Sequence, residues 1–337
     1  MEAIVQDRYG SIDDLRLRTV PDPVPADDEV LVQVRATSVH PDVWHVVTGH
    51  PSLLRLMGAG VRRPSQPIPG TDLAGVVVSV GAGVTRFAPG DEVFGETIRG
   101  IQWHNGGAYA QIATAPEHGL ARKPPSVSFE EAAAVPTVGL IALANLPQER
   151  VPAGCRVLVN GAAGGVGSMT VQLAKAYGAH VTAVDAAHKL DLLRELGADR
   201  TIDYAAEDFT QAGEQWDLVV DIPGNHPFRA IRRVLASDGR YVLIGHDAFG
   251  AKGHRLLGGV PYAVGLMARS VVTPQLRPGP SPTPDKAASM RLLADMLERR
   301  QLRVVIDRVF PLAEAREALH HLASGRATGR IVLSVDG

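Results

Sequence analysis

The stretch Val157-Leu-Val-Asn-Gly-Ala-Ala-Gly-Gly-Val-Gly-Ser-Met169 reads as a buried strand, a glycine-rich turn and the opening of a helix. Val157, Leu158 and Val159 are continuously apolar, which suits a parallel strand covered on both faces. Ala162, Gly164 and Gly167 fall on the small-residue positions of G-x-G-x-x-G, with alanine replacing the first glycine. There one residue permits the tight turn, one lets backbone approach a pyrophosphate, and one packs helix on strand. The helix is predicted over 167–177, with Gly178 placed to end it. His180-Val-Thr-Ala-Val-Asp185 gives the next strand. It ends in a carboxylate about 20 residues beyond the turn, the spacing at which an acid meets an adenosine ribose. Together these parts predict a dinucleotide-binding βαβ unit. Its contacts are Ala162, Gly164, Gly165, Val166, Gly167 and Asp185. The plainer reading, an ordinary doubly wound domain with an aspartate at a strand end, leaves the glycines unexplained.

Outward from this unit the pattern stays βα. Segment 130–145 reads as a helix, 189–196 as a helix ending at Gly197, and 199–204 and 216–221 as strands. Segment 228–235 reads as a helix, and 240–244 as a strand followed by Gly245. After a proline-rich break at 274–284, segments 285–300, 304–310, 312–323 and 331–335 read as helix, strand, helix and strand. On the N-terminal side, short β-like runs at 3–5, 29–36, 73–80, 92–94 and 108–113 alternate with Pro and Gly turns, as in a compact barrel or sandwich. Segment 49–69 reads as a flap or short helix near a substrate mouth.

The 337 residues suggest two domains, and 45% hydrophobic with 21% charged residues is an ordinary globular balance. A net charge of −2 supplies no footprint for nucleic acid or a membrane surface. One cysteine, Cys155, forms no disulfide within the chain and no cysteine-rich zinc site. With no basic leader and no long apolar run, the expected location is the cytoplasm.

The turn residues with Gln172, Ala174, Lys175 and Gly178, together with Pro69-Gly-Thr-Asp-Leu-Ala-Gly75, Pro89-Gly-Asp-Glu-Val93 and Gly325-Arg-Ala-Thr-Gly-Arg-Ile-Val-Leu333, resemble the medium-chain dehydrogenase/reductase family. The resemblance covers nearly the whole chain. It implies a GroES-like, β-rich catalytic domain at 1–122, completed by 282–337, and a Rossmann doubly wound parallel-sheet nucleotide-binding domain at 123–281. The family's zinc enzymes take Cys, His and Cys as catalytic ligands, but the matching positions hold His40, Thr71 and Ala134. A catalytic zinc requires three protein ligands. The chain therefore resembles the zinc-independent branch of quinone oxidoreductases and enoyl reductases, and no metal is expected. That branch's Asn-Pro-x-Asp pattern is replaced by His40-Pro-Asp-Val43.

The activity implied is hydride transfer from NAD(P)H to a quinone, an enone or a related conjugated carbonyl. The rivals are a carbonyl or alcohol oxidoreductase and a nucleotide-binding protein without turnover. Candidate catalytic residues are His40 and Thr71, with Trp44 and Trp103 as floor of an apolar cleft. Thr137 and Val138 lie where the family lines the nicotinamide pocket, and Gly245 and Lys189 complete the cofactor set. Asp72 is expected to brace the turn after Gly70. Asp185 favours NAD slightly over NADP, because a 2′-phosphate would meet like charge, while His188 and Lys189 lie close enough to offset it. The expected partner is a small-molecule substrate, and the expected assembly is a homodimer joined through an edge strand at 270–276.

Overall fold

The computed structural model describes residues 1–53, 55–56, 60–100, 106–146, 151–245, 256–257, 260–276 and 285–335. In chain order, β1 (Glu2–Val5) and β2 (Arg16–Thr19) form a hairpin-like pair ahead of the long strand β3 (Glu29–Val39). Helix α1 (Pro41–Thr48) precedes β4 (Asp72–Val80), β5 (Glu92–Glu96), β6 (Ile112–Pro116) and β7 (Leu120–Arg122). Helices α2 (Phe129–Ala133) and α3 (Pro136–Asn145) lead into β8 (Arg156–Asn160), α4 (Gly165–Ala176) and β9 (His180–Asp185). Next come α5 (Leu190–Glu195), β10 (Arg200–Asp203), β11 (Trp216–Asp221), α6 (Phe228–Arg233) and β12 (Leu235–Leu243). The remaining elements are α7 (Val260–Ser270), α8 (Lys286–Glu298), β13 (Ile306–Pro311), α9 (Ala315–Ala323) and β14 (Arg330–Ser334).

Two sheets result. Strands β10-β9-β8-β11-β12 pair in that order, all parallel, which is the doubly wound arrangement with its switch point between β8 and β11. The other sheet runs β13-β14-β3-β4-β5-β7, with β6 also on β3, and is antiparallel apart from the β13–β14 pair. This is the GroES-like sheet, and its last two strands come from the far end of the sequence. Both sheets bury apolar cores, one built around Val157, Val159, Val220 and Met169, the other around Val32, Val34, Leu73 and Leu333.

Several local readings change for identifiable reasons. Segment 130–145 is two helices, because Pro136 offers no N–H and starts α3 at its first turn. Pro41 likewise opens α1, and Gly49 at φ 65° closes it, where the sequence showed only β-like runs. The strand expected at 108–113 lies later, at β6, while Ala110 makes a single bridge to Ala3. Helix α6 is shorter than expected, and β12 begins at Leu235. The edge strand expected at 270–276 does not form. Those residues finish α7 and make a 3-10 turn at Pro274–Leu276, where proline has no N–H to give a ladder. Among the described residues, β12 is therefore the edge of the parallel sheet.

A buried ion pair ties three strands of the GroES-like sheet to helices α2 and α3. Asp72, the first residue of β4, has no exposed surface, and its Oδ2 accepts from Arg330 Nη2 at 3.0 Å and from Ser38 Oγ at 2.6 Å. Its Oδ1 accepts from the Thr137 amide at 3.1 Å and from the Thr137 hydroxyl. Arg330 also donates through Nε to the Ala134 carbonyl at 3.0 Å and through Nη2 to Ser38 Oγ. Burial pulls the Arg330 guanidinium below its ordinary range, and the Asp72 carboxylate beside it opposes that pull. One pair thus fixes the ends of β3, β4 and β14 against α2 and α3. Replacing Asp72 by Asn strands a buried guanidinium and is expected to cost ~3–5 kcal/mol in urea unfolding, with part recovered in Asp72→Asn/Arg330→Met. Equal midpoints for wild type and Asp72→Asn would contradict this.

Candidate active site

The glycine-rich turn sits at the carboxyl end of β8, on the switch-point edge of the parallel sheet. Gly161 takes φ 76°, and a Cβ on Gly167 would lie 2.2 Å from the Gly161 carbonyl, so glycine is required for helix to meet turn. Gly164 caps α4 with extended backbone, and a Cβ there meets only the Gly161 carbonyl at 3.5 Å. The first-turn amides of a helix have no intrahelical acceptor, and the helix dipole favours an anion there. A bare backbone, open space at Gly164 and a helix start form a cradle suited to a pyrophosphate. Gly165 and Val166 stand in that first turn, and Ala162 is buried below it. Gly245 approaches the end of β11 so closely that a Cβ would lie 2.4 Å from the Ile222 carbonyl.

Asp185 does not present a free carboxylate as the sequence reading supposed. Its Oδ2 accepts the Ala163 amide at 2.8 Å and its Oδ1 the Ala186 amide at 2.9 Å, so it braces the turn. Lys189 Nζ lies 3.8 Å from Oδ1 and donates to the Ala327 carbonyl at 2.8 Å. The turn is also held by the segment before β14, through Gly329 N–H to the Ala163 carbonyl at 2.8 Å. Arg330 lies against Gly165, where a Cβ would come within 2.7 Å of its Cδ.

In the GroES-like sheet, the residue before α1 and the residue before β4 meet. His40 Nε2 is 2.9 Å from Thr71 Oγ1, and His40 Nδ1 is 3.6 Å from Asp42 Oδ2. Burial opposes the charge on Asp42, but the adjacent His40 ring and the positive groups His45 and Arg330 outweigh it and hold the carboxyl below its ordinary range. Thr137 turns its hydroxyl inward onto Asp72 rather than toward the cleft. Val138 is buried in the core beside it. Asp72 anchors β4 to β3, β14 and helix α3, a larger role than bracing the turn. Trp44 packs in the core of the GroES-like sheet, edge-on to His45 at 5.2 Å, and does not floor a cleft. Trp103 and His104 lie outside the described residues.

Two functional-looking groups escaped the sequence reading. Glu96, at the end of β5, is buried opposite Asp72 in register and pairs with Lys286 of α8 at 2.5 Å. Burial pushes its carboxyl up, against the pull of Lys286. Nothing in the residues around Glu96 or Lys286 signalled the pairing, because it depends on a helix nearly 200 positions away. Asp42 was passed over because the family pattern places its acid one residue later. Among the described residues, no three His, Cys, Asp or Glu side chains group to hold a metal, and no helix is long and apolar enough to cross a membrane.

Residues 26–125 match the alcohol dehydrogenase GroES-like domain, and residues 196–333 match the zinc-binding dehydrogenase model. The chloroplast envelope quinone oxidoreductase homolog of Arabidopsis thaliana is 31% identical, over 99% of this chain and 98% of that protein. The chain belongs to the medium-chain dehydrogenase/reductase family. The NADPH-dependent alkenal/one oxidoreductase of Arabidopsis thaliana is 30% identical over 99% of this chain and 79% of its own length. A solved quinone oxidoreductase from Pseudomonas syringae pv. Tomato DC3000 superposes with a TM-score of 0.77 at 29% identity, covering 99% of each chain. As a member of this family the protein is an NAD(P)-dependent reductase.

The cradle makes a sharp distinction between its glycines. Gly164→Ala is expected to leave the melting temperature unchanged while weakening NADPH binding ~10-fold, or 1.4 kcal/mol. Gly167→Ala is expected to lower the melting temperature itself. Fluorescence titration and thermal unfolding read both, and unchanged NADPH affinity in Gly164→Ala would remove the pyrophosphate from this turn.

Proposed function

We propose that this protein reduces quinones, enones or related conjugated carbonyls, with Ala162, Gly164, Gly165, Val166 and Gly167 holding the pyrophosphate of NAD(P)H. The observation that carries the reading is a glycine-rich turn packed on Arg330, whose partner Asp72 adjoins Thr71 of the His40–Thr71 pair, a polar pair where the family's zinc enzymes have metal ligands. When bound, the dinucleotide supplies hydride at its nicotinamide carbon. This chain's residues then have two tasks, to hold the acceptor carbon in line and to give the resulting oxyanion a hydrogen bond. Conjugated acceptors suit such a site because their negative charge spreads over an enolate or phenolate. A simple ketone concentrates it on one oxygen and gains more from a Lewis acid. Relatives named as a quinone oxidoreductase homolog and an alkenal/one oxidoreductase support the same substrate class.

Turnover in this reading needs no zinc, since Thr71 and Ala134 occupy two expected ligand positions. Asp185 keeps negative charge beside the adenosine end and favours NADH modestly, with Lys189 at 3.8 Å offsetting part of it. One buried cysteine suits the reducing cytoplasm. In a spectrophotometric panel with a chelator present, NADH and NADPH should both be oxidised by quinones and enones faster than by simple ketones, NADH with the lower dissociation constant. A preference for NADPH would remove Asp185 as selector. Loss of turnover on chelation, restored by zinc, would overturn the metal-free site, and cofactor binding without any turnover would favour the non-catalytic rival.

The assembly in this reading is a homodimer formed at the β12 edge and the adjoining face of α7. Met267, Val271 and Val272 are exposed there, and an unpaired strand edge beside apolar surface is otherwise an aggregation hazard. Light scattering should give twice the chain mass at micromolar protein, and a single-chain mass would refute it.

A further inference from the structure

His40 is only 2% exposed and Thr71 6%, while the Asp42 side chain keeps 26% of its surface. The imidazole therefore reaches a reactant only through a neighbour. Its Nε2 faces the Thr71 hydroxyl at 2.9 Å, and its buried Nδ1 has no hydrogen-bond partner, with Asp42 Oδ2 the adjacent carboxylate oxygen at 3.6 Å. Two hydrogens cannot occupy the same Nε2 to Oγ1 contact. When Nε2 carries a proton it donates to Oγ1, and the hydroxyl's own hydrogen must point to another acceptor.

We propose that Thr71 is the catalytic hydrogen-bond and proton donor to the substrate oxygen, with His40 and Asp42 as positioning residues that recharge it. The step rests on the reductase reading above, in which hydride from NAD(P)H reaches the acceptor carbon and negative charge collects on oxygen. The Thr71 Oγ1–H bond breaks as an O–H bond forms on that oxygen. The His40 Nε2–H bond breaks as Thr71 recovers its proton. His40 enters this step as the imidazolium, its charge stabilised by the Asp42 carboxylate beside Nδ1, and leaves it neutral with its remaining proton on Nδ1; a solvent proton taken up at Nε2 through Thr71 after product leaves restores the imidazolium. A buried imidazole without an outlet would be of little use to a reaction, whereas the somewhat less buried Thr71 hydroxyl at its tip can pass a proton on.

The charges around His40 are Asp42 and His45 on α1, Asp72 at the start of β4, Glu96 on β5, Arg330 on β14 and Lys286 on α8. Asp72 is already neutralised by Arg330, and Glu96 by Lys286. Asp42 is left as the carboxylate that faces the ring.

The test compares wild type with Thr71→Val, Thr71→Ser and His40→Asn, using NADPH with one quinone and one enone. Thr71→Val should lower kcat ~100-fold, within the usual worth of acid–base catalysis, with the NADPH dissociation constant and melting temperature unchanged. Thr71→Ser should restore most of it, and His40→Asn should remove the limb of the kcat pH profile seen in wild type. Wild-type kcat in Thr71→Val, or an unchanged pH profile in His40→Asn, would overturn the assignment. If wild type reduces neither substrate, the reductase reading fails by itself. The donor arrangement is then decided by ¹⁵N NMR of His40 in the purified protein. A protonated, hydrogen-bonded Nε2 whose signal moves in Thr71→Val and whose titration moves in Asp42→Asn supports the relay, and an Nε2 without a proton across the titration overturns it.

Discussion

The contact on which the rest of the structure depends is the buried pair between Asp72 and Arg330, two residues 258 positions apart. Ions removed from water are tolerated only when each finds a counter-charge and hydrogen bonds for its remaining atoms. Asp72 meets that condition through Ser38, Thr137 and Arg330, and Arg330 through Asp72, Ser38 and the Ala134 carbonyl. Because these partners open or close five different elements, a small displacement of any one leaves a charge uncovered. The pair therefore sets position more than it adds stability. It places Thr71 one residue from a fixed point on β4, and Gly165 of the glycine-rich turn beside the guanidinium stem.

Much of this architecture was legible from the residues. A run of valines breaking into glycines has few readings, and a parallel sheet followed from the alternation of β and α periods. The failures share a cause. Pro136 split a helix, Pro274 prevented a strand, and Pro41 began a helix inside a β-rich stretch, each because a missing N–H overrides a favourable hydrophobic period. At the site, His40 and Thr71 were singled out and do meet. Their exposure was not legible, since burial depends on neighbours from β5, β14 and α8 that no local pattern announces. Trp44 shows the converse, a residue whose chemistry suits a cleft and whose helical position directs it into the core.

Asp185 illustrates how one side chain serves two demands. Its carboxylate holds the amides of Ala163 and Ala186, which shapes the turn that would carry a pyrophosphate. A carboxylate oxygen has more than one acceptor position, so this bracing leaves capacity toward a ribose. A substitution there disturbs both the turn and the charge seen by the adenosine end. The two effects separate only when one dinucleotide is compared with the other on the same variant.

Strand β14 lies between β13 and β3 inside the GroES-like sheet, and Gly329 just before it holds the glycine-rich turn. A growing polypeptide emerges from the ribosome in sequence order and folds domain by domain. Here that order cannot complete either half. Strand β3 waits with an unpaired edge, and the turn after β8 waits without the Gly329 amide, until residue 330 has left the exit tunnel. Until then the nascent chain lacks a finished glycine-rich turn, and the surfaces that await β14 are the ones a chaperone would have to shield.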